Sequence, residues 1–263
     1  MRPRSHHASS MCVDLRQVVI AQGLLTATTS EQDQPTPRES RKVTSSDKPT
    51  DKPLSGFVAK LTAMRGEQSS LDVYEPWAQS YEEDLISEYG YVAPRIAADA
   101  FAQANAELDG PVIDFGCGTG LVGIELAQHG YSHINGIDIS PAMLEQAKDK
   151  GVYRQLLQGD LSARTSITDN TYASAIAVGC FGSGHLGPEH LGELIRSVRT
   201  GGIIVLYANG IPYLEDDYPT HLQDLEALGW WTVIKTEQSN YMGTLERPGW
   251  VVVARRGDAV IGT

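Results

Sequence analysis

Between Val112 and Gly120 the chain reads Val-Ile-Asp-Phe-Gly-Cys-Gly-Thr-Gly, an apolar run that ends on an acid and then places glycine at every second position. Glycines at that spacing let the backbone turn tightly, and let a ligand lie against it without meeting a Cβ atom. A helix predicted from Leu121 would point its free N–H groups at the loop, an arrangement that favours a carboxylate or phosphate. Two more acids follow. Asp138 closes Ile134-Asn135-Gly136-Ile137-Asp138, 20 residues beyond Gly118, and Asp160 follows Gly159, 22 residues beyond Asp138. A carboxylate at Asp138 can accept both hydroxyls of a ribose. One at Asp160 can accept from an adenine amino group while Leu161 covers the ring. Taken singly, Asp138 is equally well explained as a helix cap and Asp160 as a turn residue. Together with the glycine loop they describe a nucleoside site.

Two ligands fit that description. Gly118-Thr119-Gly120-Leu121-Val122-Gly123 satisfies G-x-G-x-x-G after a strand, with Asp138 at the distance a dinucleotide site requires, so spacing alone leaves NAD open. Asp114 weighs against NAD, because an acid just before the loop adds negative charge close to where a pyrophosphate would lie. It suits a ligand with a cationic amino group. S-adenosylmethionine carries such a group together with a carboxylate and an adenosine.

The elements that must hold these residues can be read from periodicity. Short strands are predicted at Val112–Phe115, His133–Asp138, Arg154–Gln158, Ala173–Cys180 and Gly202–Ala208, with helices near Leu121–His129, Pro141–Lys150 and Glu189–Arg199 between them. In the last helix Leu191, Leu194, Ile195 and Val198 recur at i, i+3, i+4 and i+7. Ser140 and Pro141 suit an N-cap and first helical position, and Gly151 a stop. Strands separated by helices of this length imply right-handed crossovers and a parallel sheet covered on both faces. After a helix at Pro219–Leu228, the strands Trp230–Thr236 and Trp250–Arg255 have no helix between them and should pair as an antiparallel edge hairpin. Ahead of the first strand, Tyr74, Trp77, Tyr81 and Leu85 recur at helical spacing with Pro76 in the first turn, and a second helix runs from Ala93 to Leu108. The fold class is α/β: a three-layer, doubly wound, mostly parallel sheet.

Composition narrows the setting. The 263 residues hold 33 acids against 21 Lys and Arg, a formal net charge of −12, and no basic cluster, so neither nucleic acid nor a membrane is an expected partner. Cys12, Cys117 and Cys180 form neither a disulfide framework nor a zinc knuckle, which points to a reducing, cytoplasmic compartment. No apolar run approaches the roughly 20 residues of a membrane span. From Thr26 to Pro53 the chain is Ser, Thr, Pro, Gln and charge. Residues 1–70 therefore read as a disordered or weakly ordered extension. Arg2, Arg4 and Arg16 with the single acid Asp14 also match a transit peptide, and Met11 and Met64 offer later starts. The domain expected at 71–263 divides into lid helices at 71–110, a cofactor core at 111–208, and an acceptor loop with the terminal hairpin at 209–263.

Val-Ile-Asp-Phe-Gly-Cys-Gly-Thr-Gly, followed by Gly-Ile-Asp-Ile-Ser and then Gly-Asp-Leu, resembles the class I S-adenosylmethionine-dependent methyltransferase family over residues 71 to 208. Within that family, VYEPWAQSYEEDL and VGCFGSGHLGPEHLGELIRSVRTGG are similar to the methyltransferase-like 27 (Williams–Beuren-region) group. The resemblance implies a seven-stranded sheet with one reversed strand. It implies that Asp114, Gly116, Cys117, Gly118 and Gly120 surround the methionine part of the cofactor. It further implies Asp138 and Ile139 at the ribose, Met143 near the adenine, and Asp160 and Leu161 at the adenine edge and face. Gly179 would close the site, and Tyr74, Trp77 and Tyr81 would line a lid. Thr200, before Gly201-Gly202, stands where the family usually has Pro.

The acceptor side is less legible. The fourth strand ends in Gly179-Cys180-Phe181-Gly182-Ser183-Gly184-His185, not the Asn/Asp-Pro-Pro-Tyr with which amino-directed nucleic-acid and glutamine methyltransferases hold a planar nitrogen. His185 is the candidate general base, with the ordinary loop histidine as its alternative. Cys180 reads as a small core residue, and His185 with His190 makes a poor metal pair. Tyr207, Tyr213 and Tyr218 either stack on a substrate or simply pack, with Glu215-Asp216-Asp217 as a solvated rim. The expected reaction is methyl transfer to an O, N or S nucleophile of a small molecule or protein side chain. An NAD-dependent oxidoreductase and a catalytically silent binding protein are the alternatives.

Overall fold

A computed structural model describes residues 70–104, 110–182, 185–243 and 247–261. All of them belong to the unit Lys48–Thr263, and the expectations placed on residues 1–69 lie outside the described residues. Seven strands form one sheet in the order β3-β2-β1-β4-β5-β7-β6. They are β1 (Val112–Phe115), β2 (Ile134–Asp138), β3 (Tyr153–Gln158), β4 (Tyr172–Val178), β5 (Val198–Asn209), β6 (Trp231–Asn240) and β7 (Pro248–Arg256). The first five run parallel, and β7 enters antiparallel between β5 and β6. With no helix to carry the chain over the sheet, β6 and β7 can only fold back on each other.

Both faces of the central strands β1, β4 and β5 are dry. Alternation along the strands sends Ile113, Phe115, Ala175, Ala177, Ile204 and Leu206 to one face and Val112, Ile176, Val178, Ile203 and Val205 to the other. Every residue of β4 is buried, as a central parallel strand requires. One layer of helices holds α5 (Leu191–Ser197), α6 (Gly210–Glu215) and α7 (Tyr218–Ala227). The opposite layer holds α2 (Ala93–Gln103) and α3 (Leu121–Gln128), where Ala97 and Phe101 of α2 meet Val122 and Leu126 of α3.

Three elements depart from the periodicity. The aromatic segment before α2 is not one helix. Its first part, α1 (Ser70–Trp77), carries Pro76 in its second turn and ends one residue later, and the chain resumes as a π-helical turn at Glu83–Glu88. Trp77, Leu85 and Tyr89 remain on one side of it, packed on Met242 of the β6–β7 turn. At α5 the apolar spacing outruns the helix. Leu191, Leu194 and Ile195 are helical and buried, but Val198 is extended and pairs with Tyr172 of β4. Strand pairing overrides the helical pattern there, and β5 begins four residues earlier than Gly202. The short helix α6 carried no periodic signal of its own.

The turn into β4 is held by Arg196 of α5, which is buried. Its guanidinium pairs with Glu193, meets Asp169 at 2.8 Å and donates to the Ile167 carbonyl. Removing the cation strands a nearly buried Glu193 carboxylate. Arg196→Met is expected to lower unfolding free energy by about 3 kcal/mol, read as an earlier urea midpoint; an unchanged midpoint would contradict this role.

Candidate functional site

A cavity of about 310 Å³ opens at the carboxyl ends of β1, β2 and β4. It lies where the chain leaving β1 turns towards β2 and the chain leaving β4 turns towards β5, the point at which open α/β sheets bind their ligands. Its floor is the loop after β1. Gly116, Gly118 and Gly120 have φ of +74°, +53° and +95°, a path that side chains with a Cβ atom resist. That twist aims the Gly118 N–H at Asp138 Oδ2, 2.9 Å away, while the Ser140 N–H donates to Oδ1 at 2.9 Å. Asp138 is thus a wall of the cavity, and the helix cap its position suggested is instead its neighbour Ser140, whose side chain accepts from the Met143 N–H at 3.2 Å. Burial raises the Asp138 pKa, against the pull of the Gly118 and Ser140 amides.

Around the rim, Ile139 comes from the link between β2 and α4 (Pro141–Asp149), Met143 from the first turn of α4, and Asp160, Leu161 and Ser162 from the loop after β3. Asp160 Oδ1 accepts from the Ser162 N–H and hydroxyl at 2.9 and 2.6 Å, an Asx turn that still leaves the residue on the cavity wall. Val178, Gly179 and Cys180 close the side beneath β4, where the Cys180 thiol donates to the Phe115 carbonyl and burial pushes its pKa up. Tyr74, Tyr81, His185 and Leu186 form the far end.

The rings of Tyr74 and His185 lie 5.5 Å apart, with His185 Nε2 3.0 Å from the Tyr74 hydroxyl. Burial lowers the His185 pKa from 6.5 to about 4, so the imidazole is wholly neutral at physiological pH, without the protonated minority an unperturbed histidine keeps there. The α1 segment is tied down at both ends of α4. Glu75 Oε2 accepts from the Ser140 hydroxyl at 2.7 Å and the Ala142 N–H at 3.2 Å, and Glu82 pairs with Lys150 at 2.8 Å.

Four residues expected at the ligand stand behind the wall. Trp77 is wholly buried, and its indole donates to Asp84 at 2.6 Å, beneath Tyr74 and Tyr81. The Cys117 side chain fills space left by Gly136, and Gly120 packs on Tyr153 and α4. Asp114 is fully buried. Its Oδ2 accepts from the Tyr153 hydroxyl at 2.6 Å, its Oδ1 has no partner, and burial carries its pKa up to about 7. Glu75 and Tyr153 escaped the sequence reading because each acts across more than 30 residues of chain. The three candidate stacking tyrosines pack instead. Tyr213 stacks on Trp250 at 4.7 Å, Tyr218 donates to the Leu186 carbonyl, and Tyr207 meets Ser239, while Glu215, Asp216 and Asp217 form an exposed rim.

The third glycine of G-x-G-x-x-G has a local explanation. A Cβ at Gly123 would collide with the Tyr153 ring and hydroxyl, so this glycine makes room for a tyrosine rather than for a pyrophosphate.

Comparison with known proteins agrees with the geometry. Residues 112–202 match the methyltransferase domain family. Human methyltransferase-like protein 27 is 33% identical over 171 residues, covering 61% of this chain and 67% of that protein. The chain belongs to the S-adenosylmethionine-dependent methyltransferase family. S-adenosylmethionine is accordingly the cofactor, and the dehydrogenase alternative falls away. A solved structure from Methanococcus maripaludis, assigned to the S-adenosyl-L-methionine-dependent methyltransferases, shares the fold. Its TM-score is 0.54 at 18% identity, over 76% of this methyltransferase and all of that chain. A bovine 18S rRNA (guanine-N(7))-methyltransferase is 39% identical over 67 residues, 26% of this chain and 24% of that one. With such a relative, the expectation of no nucleic-acid partner is not supported. Among the described residues, no helix is long and apolar enough to cross a membrane.

Gly123→Ala forces the Tyr153 ring out of its seat against α3. A loss of about 1–3 kcal/mol is expected, seen as a lower urea midpoint; full stability would show that the tyrosine moves without cost.

Proposed function

We propose that the cavity binds S-adenosylmethionine with its adenosine along α4 and the β3 loop and its methionine end against the glycine loop. Asp138 carries the reading. Two backbone amides fix both of its oxygens at the cavity wall, and each oxygen keeps a lone pair for a ribose hydroxyl. Ile139, Met143 and Leu161 provide apolar surface for the adenine, and Asp160 an acceptor for its amino group. At the glycine loop, Asp114 Oδ1 and Thr119 Oγ1 are both buried without partners. An amino acid end supplies a cation for the first and a carboxylate for the second, so the residues present fit the group.

When bound, the cofactor supplies a methyl group on a cationic sulfur, already a strong electrophile. What remains for the protein is to hold donor and acceptor in line and keep water out. Tyr74 and Tyr81 close the cavity, and Glu75 and Glu82 fasten their segment to α4. Neutral His185 offers an imidazole beside the far end, a weak base whose partner in the free protein is Tyr74. The acceptor in this reading is an O, N or S nucleophile of a small molecule or protein side chain. The exposed acidic run Glu215, Asp216 and Asp217 supports it: it would repel a phosphate backbone, and it adjoins Tyr218, which donates to the Leu186 carbonyl beside His185. An RNA acceptor is the second reading, favoured by the bovine relative. Production of S-adenosylhomocysteine with small-molecule, protein and RNA pools separates the two, and no product with any pool would favour a catalytically silent binder.

Asp138→Ala should weaken S-adenosylhomocysteine binding by about 1.5–3 kcal/mol, roughly ten- to a hundredfold, in a calorimetric titration. Unchanged affinity would contradict the ribose assignment.

A further inference from the structure

Tyr153 links Asp114 to the first turn of α3. From β3 its hydroxyl accepts the Gly123 N–H at 3.1 Å, an amide of the first turn of α3, and donates to Asp114 Oδ2 at 2.6 Å. An amide at a helix N-terminus carries part of the helix's positive charge. A hydroxyl that accepts from it becomes a stronger donor to the next group in line. Asp114 therefore receives, through Tyr153, a share of the positive end of α3. Its other oxygen is bare and buried. The titratable groups facing Asp114 are Tyr153 from β3, Asp138 at the end of β2, Cys117 in the loop and Cys180 after β4. None of them is a cation.

We propose that Tyr153 is a positioning residue that engages one oxygen of Asp114 and leaves the other, buried beneath the glycine loop, unpaired for the cofactor's amino group, so that cofactor binding expels a proton from Asp114. The proposal rests on the methionine end lying at Asp114. Burial, opposed by the Tyr153 hydrogen bond and reinforced by Asp138, sets the Asp114 pKa at about 7. Below that pH the carboxyl is mostly neutral. An ammonium partner favours the ionised form, so affinity rises with pH up to about 7 and levels off above it. Removing the Tyr153 hydroxyl removes the interaction that lowers the pKa, and the midpoint moves up.

The test is calorimetric titration of the full chain with S-adenosylhomocysteine and with 5′-methylthioadenosine, which lacks the amino group, from about pH 5.5 to 8.5. Titration of Asp138 affects both ligands and cancels in the ratio of their affinities. In the wild type that ratio should fall by up to about tenfold per pH unit below the midpoint. Tyr153→Phe should raise the midpoint by about one unit, and Asp114→Asn should flatten the ratio. A Y153F protein with the wild-type midpoint, weaker overall or not, overturns the proposal, as does a D114N protein that keeps the wild-type profile. Where Y153F does not fold, fluorotyrosine at position 153, a stronger donor of similar size, must lower the midpoint, and an unchanged midpoint overturns the proposal. A wild type that binds neither ligand overturns the cofactor assignment, and this inference with it.

Discussion

Asp114 is buried where β1 ends, Asp138 is half-buried where β2 ends, Asp160 stands exposed after β3, and among the described residues no lysine or arginine lines the cavity there. The burial of Asp114 and Asp138, and the charge of Asp138 beside Asp114, have to be offset. Asp138 is held by the amides of Gly118 and Ser140, Asp160 by its own Asx turn, and Asp114 by a single tyrosine hydroxyl. The loop's left-handed glycines follow from this, since only that path turns the Gly118 amide towards Asp138. The pairing of acids with backbone amides leaves a site that is negative, preorganised and short of cations. In the reading proposed for the cavity, an adenosine bearing a positive charge completes it.

The same pairing of acids with amides holds the aromatic segment at the cavity's far end. Ser140 caps α4 through the Met143 N–H, yet its own hydroxyl and the Ala142 N–H are taken up by Glu75 from α1. A helix N-terminus thus becomes the anchor for the segment that carries Tyr74 and Tyr81. Trp77, Leu85, Tyr89 and Met242 give that segment a small core of its own, so it can be rigid without belonging to either main layer. The His185–Tyr74 contact then spans the cavity from the β4 loop to this segment.

Much of this was legible in the chain. Alternating strands and helices gave the sheet, and the missing helix between the last two strands gave the reversed β7. The loop glycines with Asp138 and Asp160 marked the cavity, because each follows a strand and strand ends converge in a doubly wound sheet. What escaped depended on partners distant in sequence. Val198 looks helical until β4 is there to pair with it. Pro76 looks like a first-turn residue until α1 is seen to start at Ser70. Gly123 looks like part of a dinucleotide motif until Tyr153 is seen occupying the space of its missing side chain. Asp114 shows the limit most sharply: its acid type and position pointed to a charged ligand, but its burial and its tyrosine are tertiary facts.

The central claim is that this arrangement of acids and amides selects a cationic adenosine over a dinucleotide. The most direct measurement is parallel calorimetric titration of the wild-type protein with S-adenosylhomocysteine and with NADH at neutral pH. The account predicts saturable binding of S-adenosylhomocysteine alone, with one ligand per chain. Binding of NADH, with none of S-adenosylhomocysteine, would contradict it.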